Sequence, residues 1–194
     1  DKTYSKVGGW VLESPWDPMA WRLPIPPKVA ERMDQTQKLG IAAAREALHD
    51  YGFPHRPLDR DRTAIIVGNA MGGDKHYQTA LRIFAPEYVE ALESSPAFAR
   101  LDRDDRIPAI TEDTMPGELA NIIAGRIAAL FDLHGPNYVT DAACASAMAA
   151  MSASVEGLLE YHYDAVLTGG VDANMSPSTF TKFCKIGALS ATGS

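Results

Sequence analysis

Short runs of β-favouring residues alternate with longer helical segments along this chain of 194 residues. The three clearest runs are Thr63–Gly68, Asn137–Ala143 and Ala165–Val171, each shorter than a typical helix and each containing β-branched residues. Segments with helical periodicity separate them. Strands that alternate with helices predict an α/β layered fold in which these runs share one buried sheet.

Composition excludes several classes of function. The formal net charge is −7, which argues against nucleic-acid binding, because neutralising phosphates requires clustered Lys and Arg. The two cysteines, Cys144 and Cys184, form neither a disulfide framework nor a metal-ligand spacing, so we expect no metal site and a cytoplasmic location. No apolar stretch is long enough to span a bilayer and no signal peptide is recognisable, so we expect no membrane partner.

The best-defined helix is predicted from Asp34 to Tyr51. Asp34 and Gln37 have the spacing of an N-cap pair, and Gly52 follows as a C-terminal stop. An apolar stripe at helical spacing predicts that one face packs into the core; it comprises Ile41, Ala44, Leu48 and Tyr51.

Two later helices are predicted with different environments. From Met115 onward an amphipathic stripe continues as one helix to Leu130. A second helix, Ala145–Tyr161, carries small residues at nine positions, which predicts a helix buried on all sides.

Two segments have a structural and a functional interpretation. The first thirty residues lack a period, and we interpret Trp10, Trp16 and Trp21 as anchors held by burial, with a carbohydrate or cofactor platform as the alternative. The glycine-rich Asn69–Asp74 follows a strand and could cradle a phosphate, but it has neither a Walker lysine nor the dinucleotide fingerprint. A tight turn is the favoured interpretation.

Cys144 is the strongest candidate for chemistry. It lies where the strand Asn137–Ala143 ends and the small-residue helix begins. Unpaired N–H groups and the helix dipole at such a junction favour the thiolate, and the same groups can hold an oxyanion when that thiolate attacks a carbonyl. The alternative is a small buried hydrophobic residue, the usual role of a cysteine in an alanine-rich stretch.

The remaining candidates receive structural interpretations. A Cys–His mechanism requires a histidine, but the five histidines are expected at the surface or in turns: His49, His55, His76, His134 and His162. Cys184 is not at a helix start and is expected to pack in the interior.

Around Cys144, the sequence Asp141–Ala147 (Asp-Ala-Ala-Cys-Ala-Ser-Ala) resembles the nucleophile motif of β-ketoacyl synthases. Other segments resemble that family in the same order and spacing, so that the resemblance covers residues 5–194. They are Met33–Gln37, Thr63–Gly68, Pro116–Arg126, Leu133–Pro136, Ala165–Asp172, Ser176–Phe180 and Gly187–Ser190.

This resemblance implies a thiolase-like α/β/α/β/α fold. Residues 1–194 would be the N-terminal portion of the synthase domain, without its first strand and its C-terminal half, which carries the family's catalytic histidines. We therefore expect the isolated chain to be inactive and poorly stable. The resemblance also implies a homodimer in which Asn137–Ala143 pairs with its copy across a two-fold axis.

For the chemistry, the resemblance implies that Cys144 takes an acyl group from a carrier-protein thioester and that a malonyl thioester then extends it by decarboxylative condensation. The partner is an acyl carrier protein with a phosphopantetheine arm, and no cofactor is required. Leu119 and Met71 occupy positions that would line the acyl pocket, although core packing explains either residue equally well.

Within this family, residues 180–194 are most similar to ketosynthase domains of bacterial polyketide or polyunsaturated-fatty-acid megasynthases. One alternative is a non-catalytic subunit like a chain-length factor, which lacks the nucleophile. Another is a thiolase-like enzyme that uses coenzyme A, and a third is an interaction domain with a buried cysteine.

Overall fold

In the computed structural model, residues 2–11, 16–92 and 109–193 are described. Their secondary structure is dominated by helices, with three strands between them. In chain order the elements are α1 (Pro27–Arg32), α2 (Gln35–Tyr51), β1 (Thr63–Gly68), α3 (Lys75–Leu92), α4 (Thr114–Glu118), α5 (Ile122–Phe131), β2 (Asn137–Thr140), a 3₁₀ turn (Ala143–Ala145), α6 (Ser146–Leu159), β3 (Ala165–Gly170) and α7 (Pro177–Lys185).

The three strands form one parallel sheet in the order β2-β1-β3. All six residues of the central strand β1 are buried. Alternate β1 side chains face opposite layers, because successive residues of a strand point to opposite sides. Ile65 and Val67 pack against α2 and α5, whereas Ala64 and Ile66 pack with Ala150 of α6. The predicted α/β layering is confirmed.

Helix α2 begins and ends as the sequence predicts. Asp34 is its N-cap and accepts a hydrogen bond from the N–H of Thr36, and Gly52 closes it in the left-handed conformation with φ 99°. Gln37 does not complete the predicted cap pair. Its side-chain amide instead donates to the carbonyl oxygens of Pro116 and Leu119, at 2.9 and 3.2 Å.

The single helix predicted from Met115 to Leu130 is wrong. Helix α4 ends at Glu118, and Leu119 adopts an extended conformation with ψ 131° before α5 begins at Ile122. The interruption has a polar cause, since the buried side chain of Gln37 takes the Leu119 carbonyl as a hydrogen-bond partner. The predicted strand Asn137–Ala143 is also too long, because the ladder of β2 ends at Thr140.

The prediction that Ala145–Tyr161 is buried on all sides is wrong as well. Four of its small residues are buried, namely Ser146, Ala150, Ser154 and Gly157, whereas Ser152 is exposed. The face opposite the buried residues exposes a stripe of larger apolar side chains, which are Met148, Met151, Val155, Leu158 and Leu159. The small residues thus allow close packing on one side of α6 rather than on every side.

The tryptophans of the first thirty residues pack against neighbouring elements to different extents. Trp16 and Trp21 are half-buried and meet edge to face, with ring centroids 5.7 Å apart. Trp10 stacks on Phe180 of α7 but remains 53% exposed, so burial anchors it only in part.

Candidate active site

The carboxyl ends of the three strands meet at one edge of the sheet. Gly68 at the end of β1 is in register with Thr140 of β2 and with Gly170 of β3. The turns that follow β1 and β2 therefore leave the sheet at the same level. Ligands in open parallel α/β sheets bind at this carboxyl edge, and the candidate nucleophile lies there.

Cys144 is exposed and lies in the 3₁₀ turn that joins β2 to α6. The sequence correctly placed it between a strand and a helix, although α6 begins two residues later, at Ser146. Cys184 differs from Cys144 in its position and in its burial. It lies in the last turn of α7, is 6% exposed, and its sulfur is 2.9 Å from the hydroxyl oxygen of Thr3, so the predicted packing role is confirmed.

The backbone immediately before Cys144 is strained. Ala143 has φ 51°, in the left-handed region, where an L-residue with a Cβ costs roughly 1–2 kcal/mol. Such a residue needs support from its surroundings, and strained positions of this kind are concentrated at functional sites. The strained residue directly precedes the exposed Cys144, in the turn between β2 and α6.

Hydrogen bonds from both sides stabilise this turn. On the strand side, the Asp141 carboxylate accepts the N–H of Ala143 at 2.9 Å. On the helix side, the hydroxyl oxygen of Ser146 accepts the N–H of Ala142 at 2.9 Å, and the same hydroxyl donates to the carbonyl oxygen of Ala143 at 2.6 Å. Ala142 and Ala143, the two residues that precede Cys144, are thereby tied to neighbouring polar side chains.

Close backbone packing fixes the start of α6 against the sheet. A Cβ at Gly68 would lie 2.3 Å from the carbonyl carbon of Ser146 and 2.4 Å from its oxygen. Only glycine allows β1 to approach the helix start this closely. The Thr140 hydroxyl adds a hydrogen bond to the Ser146 carbonyl oxygen at 3.1 Å.

The glycine-rich segment after β1 is a tight turn held by internal hydrogen bonds, as predicted. The buried Asn69 side chain accepts the N–H of Gly72 at 2.7 Å and donates to the Val171 carbonyl oxygen at 2.8 Å. The Asp34 carboxylate accepts the N–H of Lys75 at 2.8 Å, at the start of α3. These donors already have protein acceptors, which disfavours the phosphate-cradle alternative.

The two candidate acyl-pocket residues lie in different places. Met71 is half-buried and lines a groove of about 240 Å³ together with Val7, Phe183 and Leu189. Leu119 is 43% exposed, in the extended link between α4 and α5, and is not among the residues that line this groove. The structure therefore does not bring Met71 and Leu119 together in one groove.

A buried polar network holds the link that carries Leu119. The oxygen of the Gln37 side chain accepts a hydrogen bond from Nε of Arg126 at 2.9 Å, while its amide nitrogen holds the carbonyls of Pro116 and Leu119. Burial lowers the pKa of the Arg126 guanidinium, against the opposing effect of Asp113. The network fixes the backbone of Leu119 and leaves its side chain at the surface.

Four of the five histidines are exposed, as predicted, and His76 is half-buried in the first turn of α3. His134 lies ahead of β2, at the edge of the sheet opposite Cys144, where its ring nitrogens contact Asp61 at 2.6 Å and Asp132 at 2.9 Å. Among the described residues, no cluster of three or more His, Cys, Asp or Glu could hold a metal ion. In the same residues no helix has the length and apolarity needed to cross a membrane.

Sequence reasoning missed the residues that shape the turn. Ser146 was recognised only as a small residue of the helix, and Gly68 only as the end of a strand. A signal for Ser146 exists, since Ser is a favoured residue at helix starts. The positive φ of Ala143 has no sequence signal, because alanine rarely adopts that conformation.

A family model described as the N-terminal domain of β-ketoacyl synthases matches residues 1–194. The chain belongs to the β-ketoacyl synthase family. Among curated relatives, mellein synthase of Phaeosphaeria nodorum is 33% identical over 193 residues, which are 100% of this chain and 9% of that protein. A polyunsaturated fatty acid synthase polypeptide from a Thraustochytrium species is 27% identical, covering 95% of the chain and 7% of that protein. The β-ketoacyl synthase chain thus spans less than a tenth of the length of these relatives.

Solved structures agree with the family assignment. The oxazolomycin ketosynthase domain of Streptomyces albus is 26% identical with a TM-score of 0.72, covering 99% of this chain and 29% of that one. A type II polyketide ketosynthase, solved in complex with an acyl-carrier protein, shares the fold with a TM-score of 0.65 at 17% identity, covering 88% of this chain and 42% of that one. The chain therefore has the thiolase-like ketosynthase fold predicted from its sequence.

Proposed function

We propose that the protein carrying this chain is a β-ketoacyl-[acyl-carrier-protein] synthase in which Cys144 is the acylated nucleophile. The observation that carries the proposal is the exposed Cys144 on a strained strand-to-helix turn at the carboxyl edge of the sheet, in a chain that matches the family over its whole length. An accessible thiol fixed in one orientation is what nucleophilic catalysis at a thioester requires.

In the first step, the Cys144 thiolate attacks the carbonyl carbon of an acyl thioester on a carrier protein. A tetrahedral oxyanion forms, and backbone N–H groups of the Cys144 turn stabilise it. The bond between the acyl carbon and the carrier sulfur then breaks. The carrier leaves as a thiolate that takes up a proton, and the acyl group remains on Cys144.

In the second step, a malonyl thioester loses CO₂ and forms an enolate. The enolate carbon attacks the acyl carbonyl on Cys144, a carbon–carbon bond forms and the Cys144 thiolate is released. The product is a 3-oxoacyl thioester two carbons longer than the starting acyl group. The histidines that assist this step in the family lie downstream of the position equivalent to Ser194, so we propose that the isolated chain is inactive.

We propose acyl carrier protein as the partner, because both substrates of the reaction are thioesters of a phosphopantetheine arm. The complex of a ketosynthase with an acyl-carrier protein among the solved structures supports this choice at the level of the shared fold. No cofactor or metal takes part in the proposed steps. Met71, in its groove beside Phe183, is the better placed of the two candidate acyl-pocket residues, and Leu119 is retained as the second.

Curated relatives named as a polyketide synthase and as a polyunsaturated fatty acid synthase, of which this chain covers 3% and 7%, favour a megasynthase ketosynthase over a stand-alone enzyme. An exposed cysteine in the nucleophile motif favours a catalytic domain over a non-catalytic protein like a chain-length factor. The motif Asp141–Ala147 also fits a synthase better than a coenzyme A-dependent thiolase. We further propose that the protein is a homodimer joined through β2.

The test is acylation of the full-length protein with an acyl thioester, followed by peptide mass spectrometry. We expect the adduct on Cys144, and we expect Cys144→Ala to abolish both the adduct and malonyl-dependent condensation. Cys184→Ala is the matched control, since Cys184 is buried, and it should keep both. An adduct on Cys184 with Cys144 unmodified would overturn the proposal.

A further inference from the structure

The turn that carries Cys144 needs more support than its own backbone provides. Ala143 is held at φ 51° without being glycine, and the neighbouring Ala142 has φ −138° and ψ 37°. Neither residue continues the β2 ladder or belongs to α6. The Ala142 carbonyl oxygen accepts the N–H of Ala145 within the 3₁₀ turn, at 3.0 Å. The N–H groups of Ala142 and Ala143 instead depend on the side chains of Ser146 and Asp141.

One buried hydroxyl makes two hydrogen bonds to this pair of residues. Ser146 is 5% exposed, and its Oγ accepts the N–H of Ala142 at 2.9 Å while donating to the carbonyl oxygen of Ala143 at 2.6 Å. The two peptide groups that flank the Ala142–Ala143 pair are thus bound to the same atom. The Ser146 N–H also donates to the Ala143 carbonyl oxygen.

Ser146 itself is fixed by the sheet. The backbone of Ser146 lies against Gly68 of β1, and its carbonyl oxygen accepts the Thr140 hydroxyl at 3.1 Å. The hydroxyl therefore connects the turn to a rigid part of the domain rather than to a mobile loop. Side chains held in this way position a reacting group to within a fraction of an ångström.

We infer that Ser146 is a positioning residue for the nucleophile: its hydroxyl holds the left-handed turn at Ala143 and so sets the orientation of the Cys144 thiol. The inference rests on the proposed function, because it concerns the same nucleophile. We therefore expect loss of the Ser146 hydroxyl to change the reactivity of the Cys144 thiol as well as the stability of the start of α6.

The matched control is Ser154, another buried serine of the same helix. It is 1% exposed and donates to the Ala150 carbonyl oxygen at 2.7 Å, within α6 and two turns away from the nucleophile turn. Both Ser146→Ala and Ser154→Ala remove one buried hydroxyl from α6. Only the first removes a hydrogen bond to the residues that precede Cys144.

The experiment measures the rate at which iodoacetamide alkylates Cys144 in the full-length protein across a range of pH, with the site located by mass spectrometry. We expect Ser146→Ala to slow alkylation about tenfold at every pH, a smaller effect than the roughly hundredfold loss that a 1 Å misplacement of a reacting group can cause. Ser154→Ala should stay within about twofold of the unmodified protein, even if both variants lower the Tm. Condensing activity is measured in parallel.

An unchanged alkylation rate in Ser146→Ala would overturn the inference. Equal slowing by Ser146→Ala and Ser154→Ala would also overturn it, because the effect would then be general destabilisation. If Cys144 alkylates normally in the unmodified protein but no condensation occurs with acyl and malonyl thioesters, the proposed function fails while the alkylation comparison still decides the role of Ser146.

Discussion

At the scale of single residues, a few buried polar side chains make connections that backbone pairing cannot make. Asp34 is 4% exposed and accepts N–H groups from the first turns of both α2 and α3, so that one carboxylate caps two helices. Asn69 likewise joins the turn after β1 to the end of β3. The sequence predicted only the first of the two caps made by Asp34, because a cap between distant segments has no local pattern.

His134 gives a prediction about pH. The hydrogen bonds to Asp61 and then to Asp132 raise the pKa of His134 above its ordinary value. Because the pKa is higher in the folded state, the stabilisation is fully present below the unfolded pKa of about 6.5 and is lost as the pH rises through the folded pKa. His134→Gln should therefore lower the Tm more at about pH 5.5 than at about pH 8.5.

The carboxylate partner of His134 does not reverse this sign. Hydrogen bonds from His134 and then Arg60 lower the pKa of Asp132, so its own contribution disappears only when the pH falls through that lowered pKa. His162→Gln is the control, since His162 has a single, longer contact of 3.5 Å with Glu160. Equal Tm differences for His134→Gln at both pH values would contradict the prediction.

At the scale of elements, the sequence was most informative where local and tertiary preferences agree. The bounds of α2 and β1 follow from an N-cap, a C-terminal glycine and a β-branched run, all of which are local signals. The break at Leu119 was missed because its cause is Gln37, 82 residues earlier in the chain. The exposed face of α6, with its apolar stripe at Met148, Met151 and Val155, does not follow from the many small residues of this helix, because small side chains permit close packing without requiring it on every face.

Packing between β1 and α6 gives a second prediction at this scale. Gly68→Ala would place a Cβ 2.3 Å from the backbone of Ser146, where no flexible side chain can move aside. Overpacking of this kind costs about 1–3 kcal/mol. We expect a lower Tm for the transition of this domain and slower alkylation of Cys144, because the helix start must shift.

The control for Gly68→Ala is Gly9→Ala, since a Cβ at Gly9 meets nothing within 4 Å. Thermal denaturation of the full-length protein and alkylation of Cys144 are measured for both variants. Should Gly68→Ala match the unmodified protein in both measurements, the close approach of β1 to α6 would not be a requirement of the fold.

At the scale of the whole molecule, the outer edge of β2 is the surface through which we propose that the protein dimerises. β2 is an outer strand of the three-stranded sheet, and no strand among residues 2–11, 16–92 and 109–193 pairs with its outer side. Tyr138 in this strand is 41% exposed. An unpaired edge of this kind pairs readily with another chain, and a two-fold dimer closes it. This is the physical basis of the proposed homodimer.

The register of β2 allows the dimer to be tested without disturbing the sheet. The carbonyls of Pro136 and Thr140 accept N–H groups of Ile65 and Asn69, at 2.9 and 3.0 Å. Because ladder bonds alternate along a strand, the N–H of Val139 points to the outer side. Val139→Pro removes that donor while sparing the pairing with β1, and Val139→Ala is the matched control that removes only side-chain packing.

We expect light scattering to give a dimer for the unmodified protein and for Val139→Ala, and a monomer for Val139→Pro. A monomeric unmodified protein with full condensing activity at micromolar concentration would refute the dimer, and a dimeric Val139→Pro would show that β2 does not form its interface.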